Sequence, residues 1–127
     1  MKIEKQENFL VETLKQIGCP ISNRGFEYTK AAVLLVLKDK NALNKITKYL
    51  YPEVAKLYIS WDATERQVER AIRYVKECIF SKTNQEYLKI FKGQISERTG
   101  KISNSVFIAC IADYVERNYQ PKYDNNK

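Results

Sequence analysis

The sequence predicts an all-α fold: a compact bundle of about six helices that contains a helix-turn-helix. Three observations predict it. Apolar residues recur three and four apart along most of the 127 residues, and no alternating strand pattern is sustained. Only four glycines and three prolines punctuate the pattern. A short segment, "PEVAKLY", is followed by a connector and then by a longer charged segment that opens with "TERQVERAIR", which is the order of a helix-turn-helix.

The elements follow in order. A first helix is expected over about 4–17, with Phe9, Leu10, Leu14 and Ile17 as its apolar stripe and Gly18 and Pro20 as its stop. "SNRG" (22–25) reads as a turn. A second helix runs over about 25–38 through Tyr28, Ala31, Ala32, Leu35 and Val36. "KDKN" breaks it, and Asn41 is a candidate N-cap for a third helix over about 42–50. Pro52 suits the first turn of a fourth helix. "ISWD" (59–62) is a connector, and a long helix follows to about residue 80. "SKTN" (81–84) separates it from a short helix at about 85–92. "GQISERTGKIS" (93–103) is a glycine-bounded loop, and Ser103 or Asn104 caps a last helix that ends near residue 118. The polar tail, residues 120–127, is expected to be disordered, so one domain is expected over 1–119.

Composition narrows the function. The net charge of +7 and a pI near 9.3 favour an anionic partner, with nucleic acid the first candidate. No apolar run approaches the roughly 20 residues of a membrane span, and "MKIEKQENF" lacks the apolar stretch of a signal peptide, so a cytoplasmic location is expected. Three well-separated cysteines (Cys19, Cys78, Cys110) without a CxxC pair, and the absence of histidine, argue against a disulfide framework and a structural zinc site. No metal and no cofactor is expected. Most acid–base designs need a histidine, and no phosphate-cradling glycine loop is present, so an enzyme is not expected.

The long helix carries the main signal. At about 100° per residue, Val68, Ala71, Ile72, Val75, Cys78 and Ile79 share one face. Arg66, Glu69, Arg70 and Arg73 lie opposite, flanked by Glu65, Lys76 and Glu77. Arg66 and Arg70 are a like-charge pair one turn apart, as are Glu65 and Glu69. Each such pair destabilises a free helix by a few tenths of a kcal/mol. Phosphates and guanines would compensate the arginines. An arginine fork matches the two acceptors of guanine, and a glutamate accepts from the cytosine amino group. Thr64 and Gln67 near the helix start, with Lys45, Lys48 and Lys56 before it, are candidates for contacts to the DNA backbone. The plain alternative is a solvated charged face.

Four stretches carry a resemblance to a known family: "RGFEYTKAA" (24–32), "ITKYLYPEVAK" (46–56), "VERAIRYVKE" (68–77) and "SNSVFIACIAD" (103–113). Together they span about residues 10–118. The chain resembles the DNA-binding effector domain of the response regulator that initiates endospore formation. The resemblance implies a helical domain whose helix-turn-helix binds short promoter boxes, often in tandem for two copies. It implies base contacts from Glu69, Arg70 and Arg73, and a backbone contact from Tyr74, where the family usually has a histidine. It implies that the last helix helps tandem copies meet, through Ser105, Phe107 and Ile108. RNA polymerase would be touched near residues 79–92, where the match is poor.

Two departures bear on mechanism. The family's regulator normally carries an N-terminal phosphoacceptor domain, for which residues 1–9 are too short, so control by phosphorylation is not expected. Between Ala55 and Val68 the chain is a few residues longer than the family pattern. Either the turn is extended with Trp61 at its tip, or the first helix gains most of a turn; Trp61 is alternatively a packing anchor. The function expected is sequence-specific binding of double-stranded DNA in transcription control. The alternative is an interaction module that pairs with a full-length regulator or RNA polymerase without binding specific sites.

Overall fold

The computed structural model describes residues 2–82, 85–96 and 98–119, and among these the fold is all-helical, as expected. Six α-helices form it: α1 (Lys2–Gln16), α2 (Arg24–Lys38), α3 (Tyr51–Leu57), α4 (Glu65–Phe80), α5 (Gln85–Phe91) and α6 (Asn104–Asn118). The tail 120–127 lies outside the described residues. No described helix is long and apolar enough to cross a membrane.

Local chemistry sets the ends. Gly18 sits at a φ of 93°, where a side chain would be strained. It closes α1 in a Schellman arrangement, with Cys19 N–H donating to the Leu14 carbonyl (2.9 Å) and Gly18 N–H to that of Lys15 (3.1 Å). The Asn23 side chain caps α2 by accepting from Phe26 N–H at 3.2 Å. Ser103, not Asn104, caps α6, accepting from Val106 N–H at 3.1 Å.

The segment between α2 and α3 departs from the expectation. There is no α-helix over 42–50 and Asn41 is not its cap. Instead a 3-10 turn spans Lys40–Lys45, capped by Asp39, whose carboxylate accepts from Asn41 N–H at 3.0 Å. A π-wound turn, Ile46–Leu50, then runs directly into α3. Pro52 explains the winding. It has no N–H to offer the Lys48 carbonyl, and its ring crowds that carbonyl. The ladder shifts by one residue, and Tyr51 N–H donates to Ile46.

α2 is the centre of the bundle, packing on α1, α3, α4 and α6. Phe26, Tyr28, Ala31, Ala32, Val33 and Val36 are buried along it. Its small residues admit close neighbours. A Cβ added at Gly25 would meet Val75 Cγ2 at 2.5 Å and the Ala71 carbonyl at 3.0 Å. The α2–α4 seam is therefore drawn in at Gly25. At the other end of the core, Phe80, Tyr87, Phe91 and Phe107 form an aromatic cluster that seats α5 against α4 and α6, with Phe91 and Phe107 stacked at 5.6 Å.

The connector resolves the two alternatives. α3 ends at Leu57 and α4 starts at Glu65, so the first helix gains no further turn and the residues between form the connector. A 3-10 turn, Ile59–Trp61, is followed by Asp62 in the left-handed region at φ 56°. Trp61 is not at a solvent tip. It folds back onto Tyr58 (4.7 Å) and Tyr28 (5.9 Å), the anchoring role. Tyr58 in turn donates through its hydroxyl to the Glu27 carbonyl at 3.3 Å, and burial pushes its pKa up to about 12. Cys19 and Cys110 are free thiols whose pKa burial raises, that of Cys19 to about 12.

Two outcomes are expected in urea denaturation. Gly25→Ala wedges a methyl into the α2–α4 seam and should cost about 1–3 kcal/mol. Thr64→Ala removes the side-chain cap of α4, where the Thr64 hydroxyl accepts from Gln67 N–H at 3.2 Å, and should cost about 1 kcal/mol. A midpoint equal to that of the parent in either case would contradict the packing or the cap.

Candidate nucleic-acid interface

α4 divides into two faces as its periodicity requires. Val68, Ile72, Val75 and Ile79 are fully buried. Arg66, Gln67, Arg70, Arg73, Tyr74 and Glu77 are exposed. Burying each large aliphatic side chain stabilises by about 1.5–3 kcal/mol. Like-charge pairs on the outer face oppose this by only tenths of a kcal/mol each. Burial therefore fixes the helix with its arginines outward.

The start of α4 is a full capping box. The Thr64 hydroxyl accepts from Gln67 N–H, and the Gln67 side-chain oxygen accepts from Thr64 N–H at 3.1 Å. Both residues therefore have a structural task besides the backbone contact expected of them. The Thr64 O–H and the Gln67 amide N–H groups remain as donors.

Among the described residues neither Arg66 nor Arg70 has an acidic partner. Arg73 lies 3.5 Å from Glu69 one turn before it, with side chains 50% and 33% exposed. An ion pair this open is worth about 0–1 kcal/mol, so the guanidinium is readily released to another acceptor. Glu69 is the more constrained partner. The Asn104 amide, at the start of α6, donates to the Tyr51 hydroxyl at 3.0 Å and reaches the Glu69 carbonyl and carboxylate at 3.4 and 3.5 Å. That junction ties α3, α4 and α6 together beneath the outer face. Tyr74 is 56% exposed, and its hydrogen bond with Cys78 raises its pKa.

The flanking lysines differ. Lys45, Lys48 and Lys56 are exposed, Lys56 beside Glu53 at 3.1 Å. Lys76, by contrast, turns inward. Its ammonium donates to the Ile102 carbonyl at 2.8 Å, and burial lowers its pKa. An open hollow of about 360 Å³ lies between the start of α2 and α4, lined by Asn23, Arg24, Gly25, Gln67, Arg70 and Tyr74 among others. Arg24 stands on its rim, exposed and outside the helix-turn-helix. No local sequence pattern marks Arg24, because its partner, Trp61, is 37 residues away.

The expected tandem contacts need correction. Phe107 and Ile108 are fully buried in the core of this chain, so their side chains cannot meet another copy. With Ile111, Ala112 and Val115 they form the inner stripe of α6. Ser105 is half-buried at the same helix start. No group of three or more histidine, cysteine, aspartate or glutamate side chains that could hold a metal is found among the described residues.

The comparison with known families agrees with this geometry. The family described as sporulation initiation factor Spo0A C terminal matches residues 10–115. The match begins in α1, crosses α3, the connector and α4, and ends in α6. The chain therefore belongs to the sporulation initiation factor Spo0A C-terminal family, the DNA-binding effector domain of that transcription regulator.

Proposed function

We propose that this chain recognises specific double-stranded DNA boxes by placing the outer face of α4 in the major groove. The observation that carries the reading is the row of Arg66, Arg70 and Arg73 on a helix whose other face is fully buried. Arg70 and Arg73 read guanine through its two major-groove acceptors, and Glu69 accepts from a cytosine amino group. Asn104 limits the positions open to the Glu69 carboxylate. Arg66, Gln67, Thr64 and Tyr74 contact phosphates beside the groove, and Lys48 and Lys56 do so from the preceding turn and α3. A tandem second copy and RNA polymerase are the further partners of this reading. A copy meeting α6 would use its outer positions, with Ser105 the remaining candidate of the three.

A second reading has one observation in its favour. Leu57 and Ile59, at the end of α3 and in the connector, are 61% and 76% exposed. They suit a protein partner, such as a full-length regulator or RNA polymerase, better than a phosphate backbone.

Selection of duplexes from a random pool separates the two. Site-specific binding yields a consensus box, and Arg70→Ala or Arg73→Ala then loses about 1–3 kcal/mol on that box and far less on random duplex. Equal losses on both duplexes would reduce these arginines to backbone contacts. No consensus, together with co-purification of a polymerase subunit, would favour the interaction module.

A further inference from the structure

Among the described residues the hollow between α2 and α4 is lined without a single carboxylate, yet it borders the helix assigned to the groove. Arg24 is held at its rim by two contacts from the connector. Its guanidinium lies 4.9 Å from the centre of the Trp61 ring, and its Nη1 donates to the Trp61 carbonyl at 3.2 Å. The second contact uses one of five N–H donors. Among the described residues no acceptor is recorded for the rest, and the side chain remains exposed. A guanidinium stacked on an indole loses little further rotamer freedom when it meets an anion.

The geometry points to the hollow as a seat for a phosphate of the DNA backbone, with Arg24 as its principal donor and Trp61 as the residue that positions Arg24. The inference rests on α4 entering the groove, because only then does the backbone run past the start of α2. Arg70 and Tyr74 line the same hollow from the α4 side. A phosphodiester there meets a guanidinium from α2 and a neutral hydroxyl from α4. The connector thereby gains a task. It brings Trp61 under Arg24 and extends the anion-binding surface beyond the helix-turn-helix.

The test is fluorescence anisotropy on a selected box and on random duplex, across a range of salt. Arg24→Ala is expected to weaken both by the same factor, about eightfold at 0.1 M salt. It should also reduce the slope of log K against log salt by about 0.9, the contribution of one phosphate. Arg24→Lys keeps the charge and should restore the slope. In a double-mutant cycle, Trp61→Leu should make the loss on Arg24→Ala smaller, since the two act through one contact. If Arg24 merely braces the connector, Arg24→Ala lowers the thermal midpoint and leaves the salt slope unchanged. That result overturns the inference. Additive losses would remove Trp61 from it. If the parent chain binds no duplex, the reading of α4 fails as well. If Arg70→Ala abolishes box preference while Arg24→Ala changes nothing, only the phosphate seat fails.

Discussion

The α2–α4 seam is the constraint on which the rest of the molecule depends. Gly25 leaves room for Val75 and the Ala71 carbonyl where any larger residue would push the helices apart. That approach lets four aliphatic side chains of α4 reach full burial. Full burial in turn fixes the rotation of α4 about its own axis. A helix with this much positive charge on one side would not hold its orientation by propensity, because its like-charge pairs favour separation. The core outweighs that repulsion about tenfold, summed over the buried face. The outward arginines are thus a consequence of packing on the opposite side.

A second layer of constraint surrounds the start of α4. The capping box rigidifies its first turn, Asn104 links Glu69 to α3 and α6, and the aromatic group of Tyr28, Tyr58 and Trp61 holds the connector. Three elements distant in sequence converge on the first half of one helix. In the proposed reading the half of α4 nearest the cap enters the groove, where precision would decide which base edges are reached. The second half of α4 leads instead into the aromatic cluster around Phe91 and Phe107.

Much of this was legible in the sequence. The 3.6-residue spacing of Val68, Ile72, Val75 and Ile79 identified the buried face of α4, and Gly18 marked the end of α1. The turn at 40–50 was not legible, since 3-10 and π windings leave no distinct period, and the shift depends on one missing N–H at Pro52. The tandem-contact roles that the family resemblance implies for Phe107 and Ile108 conflict with their burial. Their spacing with Ile111 and Val115 is that of an inner stripe, and periodicity alone would have placed them in the core. Arg24 and Asn104 were missed for a different reason. Each acts through partners 35 or more residues away, on elements whose relative placement no local pattern encodes.

Trp61 is the only tryptophan in the chain. Two tyrosine rings lie within 6 Å of it and a guanidinium rests near its face. Excited tyrosines at such separations pass their energy to the indole, and a nearby cation shifts its emission. The connector thus carries a built-in optical probe at the junction of the bundle and its charged helix, one that needs no attached dye to register a change in the surroundings of Arg24.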